Sequence, residues 1–89
     1  MTPNEIAGIR KMLGLTQADF ARLFDAHVMT ISKWERGVAT PSPYQIALME
    51  KFRQTAQTAD AKAREEIKQL LVSAGVIAAL IWLLSTTKQ

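Results

Sequence analysis

Leu15-Thr16-Gln17-Ala18-Asp19-Phe20-Ala21-Arg22-Leu23-Phe24, then Asp25-Ala26-His27, then Val28-Met29-Thr30-Ile31-Ser32-Lys33-Trp34-Glu35-Arg36-Gly37, is the stretch that decides how this chain folds. Its apolar residues recur with helical spacing and do not alternate with a period of two. Thr16 followed three residues later by Asp19 is a helix-start signature, and Asp19 also faces the positive end of the helix. Phe20, Leu23 and Phe24 form the buried face of that helix. Asp25-Ala26-His27 interrupts the pattern, a further helix follows with Ile31 and Trp34 turned inward, and Gly37 stops it.

The flanks extend the same helical pattern. Upstream, Thr2-Pro3-Asn4-Glu5 opens a first helix as a capping box with proline in the first turn, Ile6, Ile9, Met12 and Leu13 form its stripe, and Gly14 ends it. Downstream, residues 37–43 are a loop rich in turn formers, and Thr40 with Pro41 reads as the cap and first position of a fourth helix. Its apolar positions are Tyr44, Ile46, Ala47, Leu48, Met49 and Phe52. Residues 54–62, rich in Ala, Gln and Thr, are either a short linker or an exposed helical turn. A charged stretch at 64–68 leads into an apolar run over 70–84, and the polar end at 85–89 is expected to fray.

Length and composition narrow the function. A chain of 89 residues holds one small domain, with or without a helical extension, and a core of that size gains from a second copy. The chain has no cysteine and one histidine, so it offers no disulfide, no thiolate metal site and no metal site within a single chain. No cofactor is expected. An enzyme is disfavoured by the same shortage, by the lack of a glycine-rich phosphate loop, and by carboxylates that sit at helix starts or in pairs such as Asp60–Arg64 and Lys62–Glu66. The net charge of +3 is too small to drive nucleic-acid binding by its sum, so any such affinity must come from where the charges stand. Arg10 and Lys11 interrupt the first apolar residues, which argues against a secretory leader and for a cytoplasmic protein.

Taken together, the Leu-Thr-Gln opening at 15–17, Ala21 and the Ser-Lys-Trp-Glu-Arg-Gly ending at 32–37 resemble the Cro/C1-type helix-turn-helix, also called the Xre family, over residues 5–53. The resemblance implies an all-α, lambda-repressor-like bundle of four to five helices, here followed by an apolar C-terminal dimerisation helix. The expected layout is a DNA-binding domain at 1–55 and a dimerisation segment at 59–86. Packing agrees: two short helices that cross steeply need a small residue at their contact, which Ala21 supplies. The chain departs from the family in the turn, where Asp25-Ala26-His27 stands in place of the usual Gly-Val-Ser. Asp25 is then expected at positive φ, with His27 in the capping position.

The resemblance also implies roles. Val28, Met29, Thr30 and Lys33 fall where relatives read bases: Lys33 can donate to guanine, and Val28 and Met29 can pack on thymine methyl groups. Gln17 and the start of its helix, with His27, Ser32, Arg36, Thr40 and Ser42, fall where the family meets the sugar–phosphate backbone. Arg10 and Glu35 are expected to pair between the first and third helices, a structural role, and Trp34 belongs to the core.

The run over 70–84 carries no charge and, at 1.5 Å per residue, reaches about 22 Å, short of the ~30 Å core of a bilayer. Ile67, Leu70, Leu71, Ala74, Ile77, Ala78, Ile81 and Leu84 recur at three and four, as a seam between two copies requires. Gly75 can instead mark a bend or a break. A membrane tail, flanked by Trp82 and Lys88, is the rival reading. The preferred function is a homodimeric repressor on a palindromic double-stranded DNA operator, acting on its own operon. In size and layout the chain also resembles small phage regulators, among them anti-CRISPR-associated autorepressors, a likeness that no particular residue carries. An antitoxin whose last helix binds a toxin, and a membrane-tethered DNA binder, are the alternatives.

Overall fold

The computed structural model describes residues 1–75 and 77. The described chain contains helices α1 (Pro3–Met12), α2 (Gln17–Leu23), α3 (Val28–Glu35), α4 (Pro43–Thr58) and α5 (Ala61–Ala74), and no strand. The all-α reading and its helix-turn-helix centre therefore hold.

Side chains with a fixed reach set each helix start. Thr2 and Glu5 exchange bonds across the first turn of α1, Glu5 N–H to Thr2 Oγ1 at 3.1 Å and Thr2 N–H to Glu5 Oε1 at 2.7 Å. Thr16 and Asp19 do the same at α2, and Asp60 caps α5 by accepting from the Ala63 amide at 2.8 Å. Each reciprocal box satisfies two backbone donors that the helix itself leaves orphaned. Asp60 makes no ion pair with Arg64, nor Lys62 with Glu66, among the described residues.

The fourth helix starts two residues later than expected. Ser42 is its cap, boxed with Gln45 at 3.2 and 2.8 Å, and Pro43 is its first residue. Pro41 is buried in the preceding loop. Thr40 could not close a box, because Pro43, three residues on, has neither an amide proton nor a carboxamide. Tyr44 and Ala47, expected inward, are exposed and Ile46 is half-buried, whereas Leu48, Met49, Phe52 and Ala56 form one stripe at helical spacing. Burial of Ala56 carries α4 to Thr58, into the stretch that read as either a linker or an exposed helical turn, up to an extended Ala59.

One core joins all five helices. Ile6, Ile9 and Leu13 of the α1 region meet Phe20, Ala21 and Leu23 of α2, Ile31 and Trp34 of α3, and Leu48, Met49 and Phe52 of α4. Phe24, the last cap of α2, is the hub of the aromatic packing, with edge-to-face contacts to Phe20 at 4.9 Å, Trp34 at 5.6 Å and Phe52 at 6.4 Å. That geometry sets the positive ring edge against a negative face. Leu71 of α5 enters the same core at 2 % exposure, with Ile67 and Val72 packed against it. α5 ends at Gly75, whose φ of +59° belongs to the left-handed region that a side chain resists. The end of α5 thus falls at the glycine expected to mark a bend or a break within the 59–86 segment. Ala78, Ile81 and Leu84, Trp82 and Lys88, and the end expected to fray lie outside the described residues. Among the described residues no helix is long and apolar enough to cross a membrane.

Candidate nucleic-acid interface

The turn between α2 and α3 fixes the direction of α3. Asp25 stands at φ +50°, the only described non-glycine residue at positive φ, in the place where the family uses glycine. His27 then caps α3: its Nδ1 accepts from the Met29 amide at 3.1 Å. An accepting Nδ1 leaves the ring proton on Nε2. The expected cap and the expected positive φ are both present.

Inside the helix, about 100° per residue separates two faces. Ile31 and Trp34 point into the core and are buried. Met29 and Arg36 lie opposite them, with Ser32 and Lys33 on either side. Met29 is 53 % exposed and Val28 37 %, both large for apolar side chains, and Lys33 is exposed. Thr30 lies on the flank near Trp34 and is half-buried, further from the outward centre than its neighbours. Ser32 is half-buried and accepts from Arg36 Nε at 3.1 Å, a link between residues one turn apart. Arg36 caps the C-terminal end of α3, and Gly37 turns the chain at φ +76°, where a Cβ would come within 3.3 Å of Pro3 Cγ.

Behind this face a polar network holds α3 to the rest of the fold. Arg10 of α1 grips Glu35 through two bonds, Nε to Oε2 at 2.6 Å and Nη2 to Oε1 at 3.0 Å. Arg10 Nη1 also donates to the Leu15 carbonyl at 3.0 Å, and Gln17 Nε2 donates to Glu35 Oε1 at 3.2 Å. One carboxylate thus ties α1, the first residue of α2 and the last residue of α3 together. The Arg10 and Glu35 side chains are 13 % and 9 % exposed. Burial pushes the Glu35 carboxyl up, but the bonds from Arg10 and Gln17 outweigh it and hold the group below its ordinary range. The bond from Glu35 likewise raises the Arg10 guanidinium, against its own burial.

The expected pairing of Arg10 with Glu35 is present, and so is the core position of Trp34. The link from Gln17 to Glu35 was not foreseen; no local spacing marks a contact between residues 18 apart. Gln17 keeps one amide proton and its carbonyl free of that link. Thr40 and Ser42 are exposed beyond α3. The Ser42 oxygen is engaged in the α4 cap, which leaves its hydroxyl proton to donate elsewhere. On α5, Leu71 and Ile67, assigned to a seam between copies, instead face the chain's own core. Leu70, Ala74 and Ile77 are exposed, Ile77 at 66 %.

The arrangement presents a helix with a free, cationic and apolar outer side, stiffened from behind, and the dimensions of an α-helix suit the major groove of a duplex. A helix-turn-helix family model, HTH_3, matches residues 6–52, just over half of the chain and the span of α1 to most of α4. No curated protein and no solved structure matches the chain. With the turn, the stiffened α3 and this match in agreement, the chain belongs to the Cro/C1-type (Xre) helix-turn-helix family of DNA-binding transcriptional regulators.

Proposed function

We propose that the protein is a transcriptional repressor that acts in the cytoplasm as a homodimer on an inverted-repeat operator, including one at its own promoter, where it excludes polymerase. The observation that carries this reading is α3 itself: held from behind by Arg10, Gln17 and Glu35, it turns Val28, Met29, Lys33 and Arg36 outward together. In the complex Lys33 donates to a base edge, Val28 and Met29 pack on thymine methyl groups, and Thr30 contributes from the flank. Gln17, His27, Ser32, Arg36, Thr40 and Ser42 meet phosphates and fix the register.

A two-fold pair of such helices reads two half-sites one helical turn apart, about 34 Å. The exposed apolar side chains of Leu70 and Ile77, at the start of a run without charge, supply the material of a seam between copies. Selection of bound sequences from randomised duplexes, followed by footprinting upstream of the protein's own gene, tests the reading. An inverted repeat with centres about 10 base pairs apart is the expected result. Binding without sequence preference would overturn it.

A further inference from the structure

The direction of α5 can be read from two close approaches. Lys68 lies across Gly14, in the turn that precedes α2: a Cβ on Gly14 would stand 3.2 Å from Lys68 Cδ and 3.7 Å from its Nζ. Further along, Gly75 abuts Arg22 near the far end of α2, where a Cβ would stand 3.6 Å from the Arg22 carbonyl oxygen. α5 therefore runs beside α2 in the same direction. Arg64, one turn before Lys68, stands beside the same turn, with Met12, Leu13 and Gly14.

Arg64 and Lys68 are not loosely held surface charges. Both fall on the side of α5 that carries Leu71, and both are half-buried. With Met12 and Gly14 they line a groove of about 210 Å³ between the α1–α2 turn and α5. The one acid in its lining, Glu65, accepts from Gln69 at 3.0 Å. Neither Arg64 nor Lys68 has an ion-pair partner among the described residues. Two cations, neither of them in an ion pair among the described residues, are thus held by their stems beside the turn that leads into α2. Burying the stem while leaving the head free is how long basic side chains present charge without losing all their order to solvent.

We propose that Arg64 and Lys68 bind backbone phosphates of the duplex beyond the bases that α3 reads, so that α5 lengthens the footprint of each half-site. The proposal rests on the DNA-binding reading above, and it adds a contact from outside the part of the chain that matches the family. Arginine suits a phosphate as a planar fork and lysine as a point charge, and neither contact carries sequence information.

The test measures affinity of the full chain for its selected duplex over a series of salt concentrations. Each phosphate contact contributes about 0.9 to the slope of log K against log salt. Arg64→Gln and Lys68→Gln should each flatten the slope by about that amount, and the double variant by about twice it, with base preference in a selection unchanged. Lys68→Arg should restore the slope, and Lys62→Gln, an exposed neighbour, should leave it alone. Helical circular dichroism and the melting midpoint verify each variant, and the single variants decide the matter if the double one fails to fold. Wild-type binding with unchanged slopes in both folded single variants overturns this assignment alone. A wild-type chain that binds no duplex overturns the DNA-binding reading and this one with it.

Discussion

Replacing Glu35 by alanine removes the acceptor on which Arg10 and Gln17 both converge. The cost lies between two limits. An exposed ion pair contributes about 0–1 kcal/mol, whereas removing one partner of a buried pair costs about 3–5 kcal/mol, because the other charge stays behind unpaired. At 13 % and 9 % exposure the two side chains stand near the buried limit. Arg10 nevertheless keeps its bond to the Leu15 carbonyl and some water, which places the expected loss at about 2–3 kcal/mol. Urea unfolding at neutral pH, with the slope checked for constancy, measures it. The acid limb gives a second reading. The folded Glu35 carboxyl lies below its unfolded value, so the stability it contributes is complete above the ordinary glutamate range and disappears as the pH falls through the depressed folded value. Glu35→Gln should therefore lose stability at neutral pH and show a shallower decline in acid than the wild type. Arg10→Met combined with Glu35→Leu should recover most of the loss, since no charge is then stranded. A loss below about 0.5 kcal/mol for Glu35→Ala would place the pair among ordinary surface contacts and refute the view that it stiffens α3.

Other changes separate reading from positioning. Lys33→Ala should relax base preference at one operator position and cost about 1–3 kcal/mol in binding, whereas Gln17→Ala should weaken all duplexes about equally; binding-site selection distinguishes the two. Gly8 lies in the middle of α1 with open space where its Cβ would be, so Gly8→Ala should stabilise by up to about 1 kcal/mol, read as a rise in melting midpoint. Ile77→Glu places a charge on an exposed apolar position and should yield monomers with poor operator affinity; a variant that stays dimeric in light scattering would remove that position from the seam.

What the sequence revealed depended on how local the physics was. Caps at Thr2 and Thr16, the strained Asp25 and the imidazole cap of His27 involve residues within three or four positions, and each was legible. Ser42 was missed in favour of Thr40 because both precede a proline, although only Ser42 has a glutamine three residues on to complete the exchange. Tyr44 read as core because it is apolar and lies one turn before Leu48, but it stands in the first turn of α4 and is exposed. The contacts of Gln17 with Glu35, Lys68 with Gly14, and Leu71 with the core join distant segments. They depend on how the helices cross, which periodicity alone does not specify. Gly75 read as a bend or a break, and α5 ends at it.

Leu71 entering the same core as Phe20 and Trp34 separates two boundaries that are easily equated. The inherited module runs to residue 52, but a fragment cut there would lose Ala56 and Leu71 and bare the side of α2 that α5 covers. Such a fragment would keep every residue of the reading helix and still lack the packing that keeps it in place. In this chain the portion that matches the family is shorter than the portion packed around one core.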